Sequence, residues 1–221
     1  MIVIISSCSA SKDDTIPILN DSITVQPSHY LQNKALLSLL ASTRERIFQD
    51  PRANVGKKTT YAFDLYARAG NAYRDLRGFN YQRSKNTLLS GEIGWFFLSG
   101  GYGIVHGLEP AHKYSVTFNR SIAYQKRIPF TTPLWKNTLP TIIEAIISDL
   151  EPQWTYVFGS RDYTDFVKQT DSWKRGKVKL FESTGSSGPY WLSPRIDELA
   201  NAIFNGSLNQ FNSKYGRFSK Q

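Results

Sequence analysis

This chain of 221 residues is short of several things, and each shortage removes a class of explanation. It has one cysteine, Cys8. No internal disulfide can form, and a reducing compartment is the natural expectation. It has three histidines and no HExxH pattern. His106 and His112 stand at a spacing that fits no common helical ligand pair, and no cysteine can join them, so no metal site is expected. The glycines of a Walker loop are missing after the first apolar run. No stretch approaches the ~20 apolar residues that a membrane span requires. The opening MIVIISSCSASK lacks the basic lead and the long apolar run of a secretory signal. These shortages predict a soluble cytoplasmic protein with no membrane partner and no cofactor.

Acids are scarce too: 18 Asp and Glu face 27 Lys and Arg, for a net charge of +9. What is abundant is aromatic side chain, at 14%. Cations neutralise phosphates and flat rings stack on unpaired bases, so this pairing suits nucleic acid. The plainer alternative is a basic protein whose charge serves solubility alone.

The apolar pattern alternates short strands with helices. Ile2–Ile5 is a β-branched run that ends in the polar SSCSASKDD. Between Tyr30 and Phe48 the spacing predicts a helix, and a second helical stretch runs over residues 61–76, where Gly70 can divide it. A short helix over 81–91 precedes a strand at Trp95–Leu98. Residues 115–130 read as irregular. Leu139, Ile142, Ile143, Ile146, Ile147 and Leu150 form one helical stripe, with Pro140 suited to its first turn. Strands follow at Trp154–Phe158 and Lys177–Phe181, separated by a short helix reaching about Lys168. TGSSGPYW reads as a loop, and Ser193-Pro194 opens a last helix that Gly206 stops. The expected architecture is a single α/β domain over 1–221 with a mostly parallel central sheet flanked by helices. It carries a helical insertion around 28–92 and a basic tail, 207–221, that frays.

In such sheets ligands bind where loops leave the carboxyl ends of strands. Three polar turns stand at those ends. SCSASK offers hydroxyls, backbone N–H groups and Lys12 to an anion; Cys8 within it reads as a small packed thiol. LSGGYGIVHGLEPAHKY, residues 98–114, reads as a loop whose glycines let backbone approach a ligand and whose Glu109 and Tyr114 face it. Either histidine there can meet phosphate or act as an acid. GSRDY, residues 159–163, places Ser160 and Arg161 at a strand-to-helix turn, where free N–H groups and a guanidinium suit an anion; a plain helix cap is the alternative. The charges of 61–76, among them Asp64, read mostly as a solvated face. Lys168, Lys174, Arg175, Lys177 and Lys179 are dense enough to track a phosphate backbone.

Taken together, these stretches resemble the YaaA-like family, named for a bacterial peroxide-stress protein. AGNAYRDL (Ala69–Leu76) is similar to that family's KGDVYxGL block, with Asn71 in place of its acid. LSGGYGIVHGLEPAHKY is similar to LSGLYGVLRPLDLxxPY, with Glu109 on the acid and Tyr114 on the tyrosine; Gly107 and Lys113 stand where the family has prolines. SCSASK resembles the SPAK turn, with Lys12 on the lysine, and GSRDY resembles SxEY. The resemblance implies a YaaA-like fold and a DNA-binding protein tied to protection of DNA from damage.

The expected function is therefore DNA-acting: a DNA glycosylase-type hydrolase that cleaves the N-glycosidic bond of a modified or damaged base, in DNA protection, stress response or antiviral defence. Such chemistry needs an extruded base and a carboxylate beside the sugar. Glu109 is the first candidate for that carboxylate and Asp64 the second. Tyr114 or Tyr163 would stack on or hydrogen-bond the base. Lys12, Ser99, Ser160 and Arg161 would hold phosphate or the base edge, with Ser9, Asn71, Gly101 and Tyr102 completing the binding site. A non-catalytic DNA-binding stress protein and an enzyme acting on a nucleotide or phosphosugar are the alternatives.

Overall fold

A computed structural model describes residues 1–18, 23–185 and 187–221. Residues 19–22, at the head of the sparsely patterned stretch before the first helix, lie outside the described residues, as does Ser186 of TGSSG. In chain order the elements are β1 (Ile2–Ser7), α1 (Lys34–Phe48), β2 (Thr59–Tyr61), α2 (Ala62–Ala67), α3 (Phe79–Leu89), β3 (Ile93–Ser99), β4 (Gly103–His106), β5 (Pro110–His112), α4 (Arg120–Lys126), α5 (Thr132–Trp135), α6 (Leu139–Leu150), β6 (Trp154–Ser160), α7 (Arg161–Val167), α8 (Asp171–Lys174), β7 (Val178–Ser183), α9 (Gly188–Phe204), α10 (Leu208–Lys214) and β8 (Phe218–Lys220). Among the described residues the main sheet has six strands in the order β4-β3-β1-β6-β7-β8. Every pairing in it is parallel except that of β4 with β3. The α/β expectation with a mostly parallel sheet holds.

Burial explains why the central strands read as unbroken apolar runs. β3 is buried at every position, and so is β1 after Ile2. A strand covered on both faces has no polar side to alternate with. Ile4 of β1 lies between Trp95 of β3 and Tyr156 of β6 in the sheet register. Helix α6 buries Leu139, Ile142, Ile143, Ile146 and Ile147, the stripe its sequence predicts. Asn33 caps α1 by accepting from the backbone N–H groups of Ala35 and Leu36, which fixes where that helix starts.

Several expectations need correction. Residues 98–114 are not one loop. Gly103 takes φ 68°, and its Cα lies so close to Trp135 that an added Cβ would sit 2.7 Å from the indole. The chain therefore folds back tightly, and β4 pairs antiparallel with β3, leaving only residues 100–102 as the turn. β5 then pairs with β2. Residues 115–130 are not wholly irregular either: Asn119 accepts a hydrogen bond from Ile122 N–H and starts α4. Helix α9 begins at Gly188, before the expected Ser193-Pro194, and carries Pro194 inside it. The tail does not fray. Phe211 is buried against Tyr156, Phe181 and Tyr215, and β8 extends the sheet beside β7. Two rings and a free strand edge give that tail something to bury.

Candidate functional site

The chain path sets where a ligand can sit. From β1 the chain crosses to β3 on one side and later returns to β6 on the other. Loops leaving β1 and β6 at their carboxyl ends diverge, and such a switch point is where open α/β sheets bind ligands in a crevice. Three segments meet there: Cys8, Ser9 and Lys12 after β1, Ser99 at the end of β3, and Ser160 and Tyr163 after β6. Cys8 Sγ lies 3.5 Å from the Tyr163 hydroxyl, joining the loop after β1 to the helix after β6. Tyr66 of α2 shares a 2.9 Å hydrogen bond with Tyr114, and Tyr114 is hydrogen-bonded in turn to Ser99 Oγ. Lys12 Nζ rests on the face of Tyr114, 4.3 Å from the ring centroid. Ser99 Oγ accepts from the backbone N–H groups of Gly101 and Tyr102, which pins the β3–β4 turn beneath Tyr114.

Close backbone approach makes this convergence. A Cβ on Gly70 would fall 2.7 Å from Ser9 Cβ, so only glycine lets the AGNAYRDL segment lie against the β1 loop. Tyr73, two residues into the adjoining 3₁₀ turn, donates to Ser6 Oγ at 2.9 Å and to the Ser7 carbonyl. Trp95 Nε1 donates to the same Ser6 oxygen at 2.8 Å. The four sequence blocks singled out above thus touch one another at one end of the sheet.

The electrostatics are one-sided. Burial raises the Tyr66, Tyr114 and Tyr163 phenols well above their ordinary range, so all three are hydrogen-bonding groups and not phenolates. Burial also lowers the Lys12 ammonium; Cys8 opposes that shift, while the like charges of Lys113 and Lys126 add to it. Three carboxylates are buried in the described core, and each has its own cation. Asp64 takes Lys85, Glu109 takes Arg44, and Glu182 takes Lys168. No carboxylate pairs with Lys12 among the described residues. Among the described residues it is a sheltered cation that no carboxylate neutralises.

Not every expected site residue reaches this crevice. Glu109 does not face a ligand. It is 4% exposed, accepts from Tyr30 Oη at 2.8 Å and is gripped by Arg44 Nη1 at 2.5 Å. Arg44 also donates to the carbonyls of Tyr102 and Ile104, locking the acid behind the β3–β4 hairpin. Asp64 is fully buried and holds Lys85 Nζ at 2.8 Å and the Tyr81 hydroxyl, so it is no solvated charge and no free base. Arg161 turns to solvent and pairs with Asp165 one turn along α7. Asn71 is exposed at the start of the 3₁₀ turn. Gly101 packs beneath Phe48 and Tyr114. Tyr102 is buried, and its hydroxyl accepts from His112 N–H at 2.7 Å. Ser160 ends β6 at the N-terminus of α7, without a side-chain cap bond. His106 is buried between Tyr30 and Phe96, out of reach of a phosphate. Lys168 is tied to Glu182, and Lys174 and Arg175 to Asp171 and Glu144, so the basic run near 168–179 is largely internally paired.

Two members of the cluster escape sequence reading. Tyr66 looks like one more apolar position on a helical stripe, and nothing local marks its hydroxyl. Cys8 reads as a packed thiol, yet it is only half-buried and faces Tyr163. Its place right after a buried strand was the available signal. No helix among the described residues is long and apolar enough to cross a membrane. No protein-family model matches this chain, and no curated protein matches it.

Proposed function

We propose that this is a DNA-acting protein that seats one phosphate-bearing nucleotide in the strand-end crevice, and that its fold and role are YaaA-like. The observation that carries the proposal is Lys12. It is a sheltered ammonium at the switch point of a parallel sheet, resting on a tyrosine face, with no carboxylate of its own among the described residues. An incoming phosphate supplies the missing counter-charge. Ser9 on the same loop and the Tyr163 hydroxyl, which meets Cys8, are candidate donors to that phosphate, and the net charge of +9 draws a polyanion towards it. The meeting of all four YaaA-like blocks at this crevice supports the same reading.

Binding is favoured over base excision. Cleaving an N-glycosidic bond calls for a carboxylate at the sugar. Glu109 and Asp64 are each held by a cation and a tyrosine hydroxyl, away from the crevice. Freeing either would strand a buried charge. The test is fluorescence anisotropy with labelled oligonucleotides, alongside chromatography for released base. Wild type should bind with strong salt dependence and release no base. Lys12→Met should weaken binding roughly tenfold, the loss of one buried phosphate contact. Glu109→Gln should lower stability by about 3 kcal/mol, because Arg44 loses its buried partner, and should leave whatever folds still able to bind. Binding unchanged in Lys12→Met would sink the proposal. Base release by wild type that Glu109→Gln abolishes in a folded protein would restore the excision reading.

A further inference from the structure

An open groove of about 810 Å³ lies along α4, away from the strand ends, lined by Arg52, Arg120, Tyr124, Gln125, Arg127 and Phe130. A second hollow of about 290 Å³ continues it past Arg46 and Pro133, sharing Arg52 and Phe130. The one acid along this path, Asp50, is already bound by Arg52 through hydrogen bonds of 2.6 and 3.0 Å. Among the described residues no carboxylate pairs with Arg46, Arg120 or Arg127. Three guanidiniums thus stand unpaired along a groove whose rim carries a tyrosine that is 87% exposed.

Arg127 adds a separate sign. It caps α4 in the left-handed conformation, φ 53° and ψ 38°, a position where glycine or asparagine is the usual choice. An arginine there costs on the order of 1 kcal/mol of backbone strain. The strain fixes a charged side chain at the groove that glycine could not supply. The basic surface also reaches the strand ends. Lys126, the residue before it, lies near enough to Lys12 to lower its pKa, and Asn119 at the other end of α4 donates to Asp162 beside Tyr163 at 2.7 Å.

We infer that this groove is the track for single-stranded DNA. Arg120, Arg127 and Arg52 contact successive phosphates, and Tyr124 stacks on an unpaired base. A cationic groove with an exposed ring suits a single strand because a duplex keeps its base faces stacked inside. The strand then passes over Lys126 to the crevice. The inference rests on the proposal that the protein binds DNA, and it names the form of that DNA and its path.

The experiment is anisotropy with a labelled oligo-dT, an unlabelled duplex as competitor, and three variants over a range of salt. Tyr124→Ala should weaken single-strand binding at least fivefold and leave the salt slope unchanged, since it removes stacking and no charge. Arg127→Gly should weaken binding roughly tenfold and reduce the salt slope by about one. Its Tm should be no lower than wild type, because glycine relieves the positive φ; weakened binding therefore cannot be put down to unfolding. The duplex should compete poorly. If wild type binds oligo-dT while Tyr124→Ala and Arg127→Gly bind as it does, the track is wrong, and weaker binding by Lys12→Met in the same assay would leave the strand-end site standing. If the duplex competes as well as the single strand, the stacking role fails. If wild type binds no DNA, the track and the proposed function fall together.

Discussion

At the residue scale, the structure sorts ionisable groups by whether they have a partner. Glu109, Asp64 and Glu182 are buried and paired; among the described residues no carboxylate pairs with Lys12, Arg120 or Arg127. Sequence can supply the residue types but not this sorting. Glu109 lies in a polar stretch and reads as a ligand-facing acid, because its partner Arg44 is 65 positions away on α1 and nothing local announces the pair. His106 shows the same limit. Its ring is buried, and its Nδ1 accepts from the Leu108 N–H at 3.2 Å, so the neutral form fits and the cation does not. Burial, with a smaller push from His29, lowers its pKa to about 4. The unfolded chain holds that proton below about 6.5, the folded chain only below about 4. The stabilisation is therefore fully present above about pH 6.5 and is lost as pH falls towards 4, on the order of 3 kcal/mol in all. Urea unfolding at pH 7 and pH 5 should show a drop for wild type that His106→Gln largely removes. An equal drop in both proteins would contradict the assignment.

At the scale of elements, patterns that depend on near neighbours are legible and those that depend on distant ones are not. The α6 stripe, the β1 and β3 runs and the break at Gly70 follow from period and breaker residues alone. The β3–β4 hairpin does not, since its tightness comes from Trp135 pressing on Gly103 from another element. The tail is the sharpest case. NQFNSKYGRFSKQ is polar enough to read as frayed, yet Phe211 and Tyr215 pack on Phe181, and Lys179 Nζ donates to the carbonyls of Asn212 and Tyr215 at 2.8 Å. Phe211→Ala should cost about 3 kcal/mol by opening a cavity between Tyr156 and Phe181. It should also speed hydrogen exchange across β8 before the rest of the sheet. A stability loss under about 0.5 kcal/mol would mean that the tail is an ornament on the fold.

At the scale of the whole molecule, two groups of cations left unpaired among the described residues matter to the proposal. One lies at the crevice where loops from β1 and β6 part; the other lies along the arginine groove across α4. The location of the first follows from a rule about parallel sheets and was readable once strands and turns had been placed. The second was not, because Arg46, Arg52, Arg120 and Arg127 come from three separate segments and α4 itself hides in a stretch that reads as irregular. The central claim is that DNA engages the ammonium at the crevice. Reductive methylation of the lysines, quantified by mass spectrometry with and without a saturating single-stranded oligonucleotide, tests it directly. Lys12 should be methylated in the free protein at a measurable rate and protected several-fold by the DNA. A protein that binds the oligonucleotide while Lys12 is methylated just as fast would contradict the account.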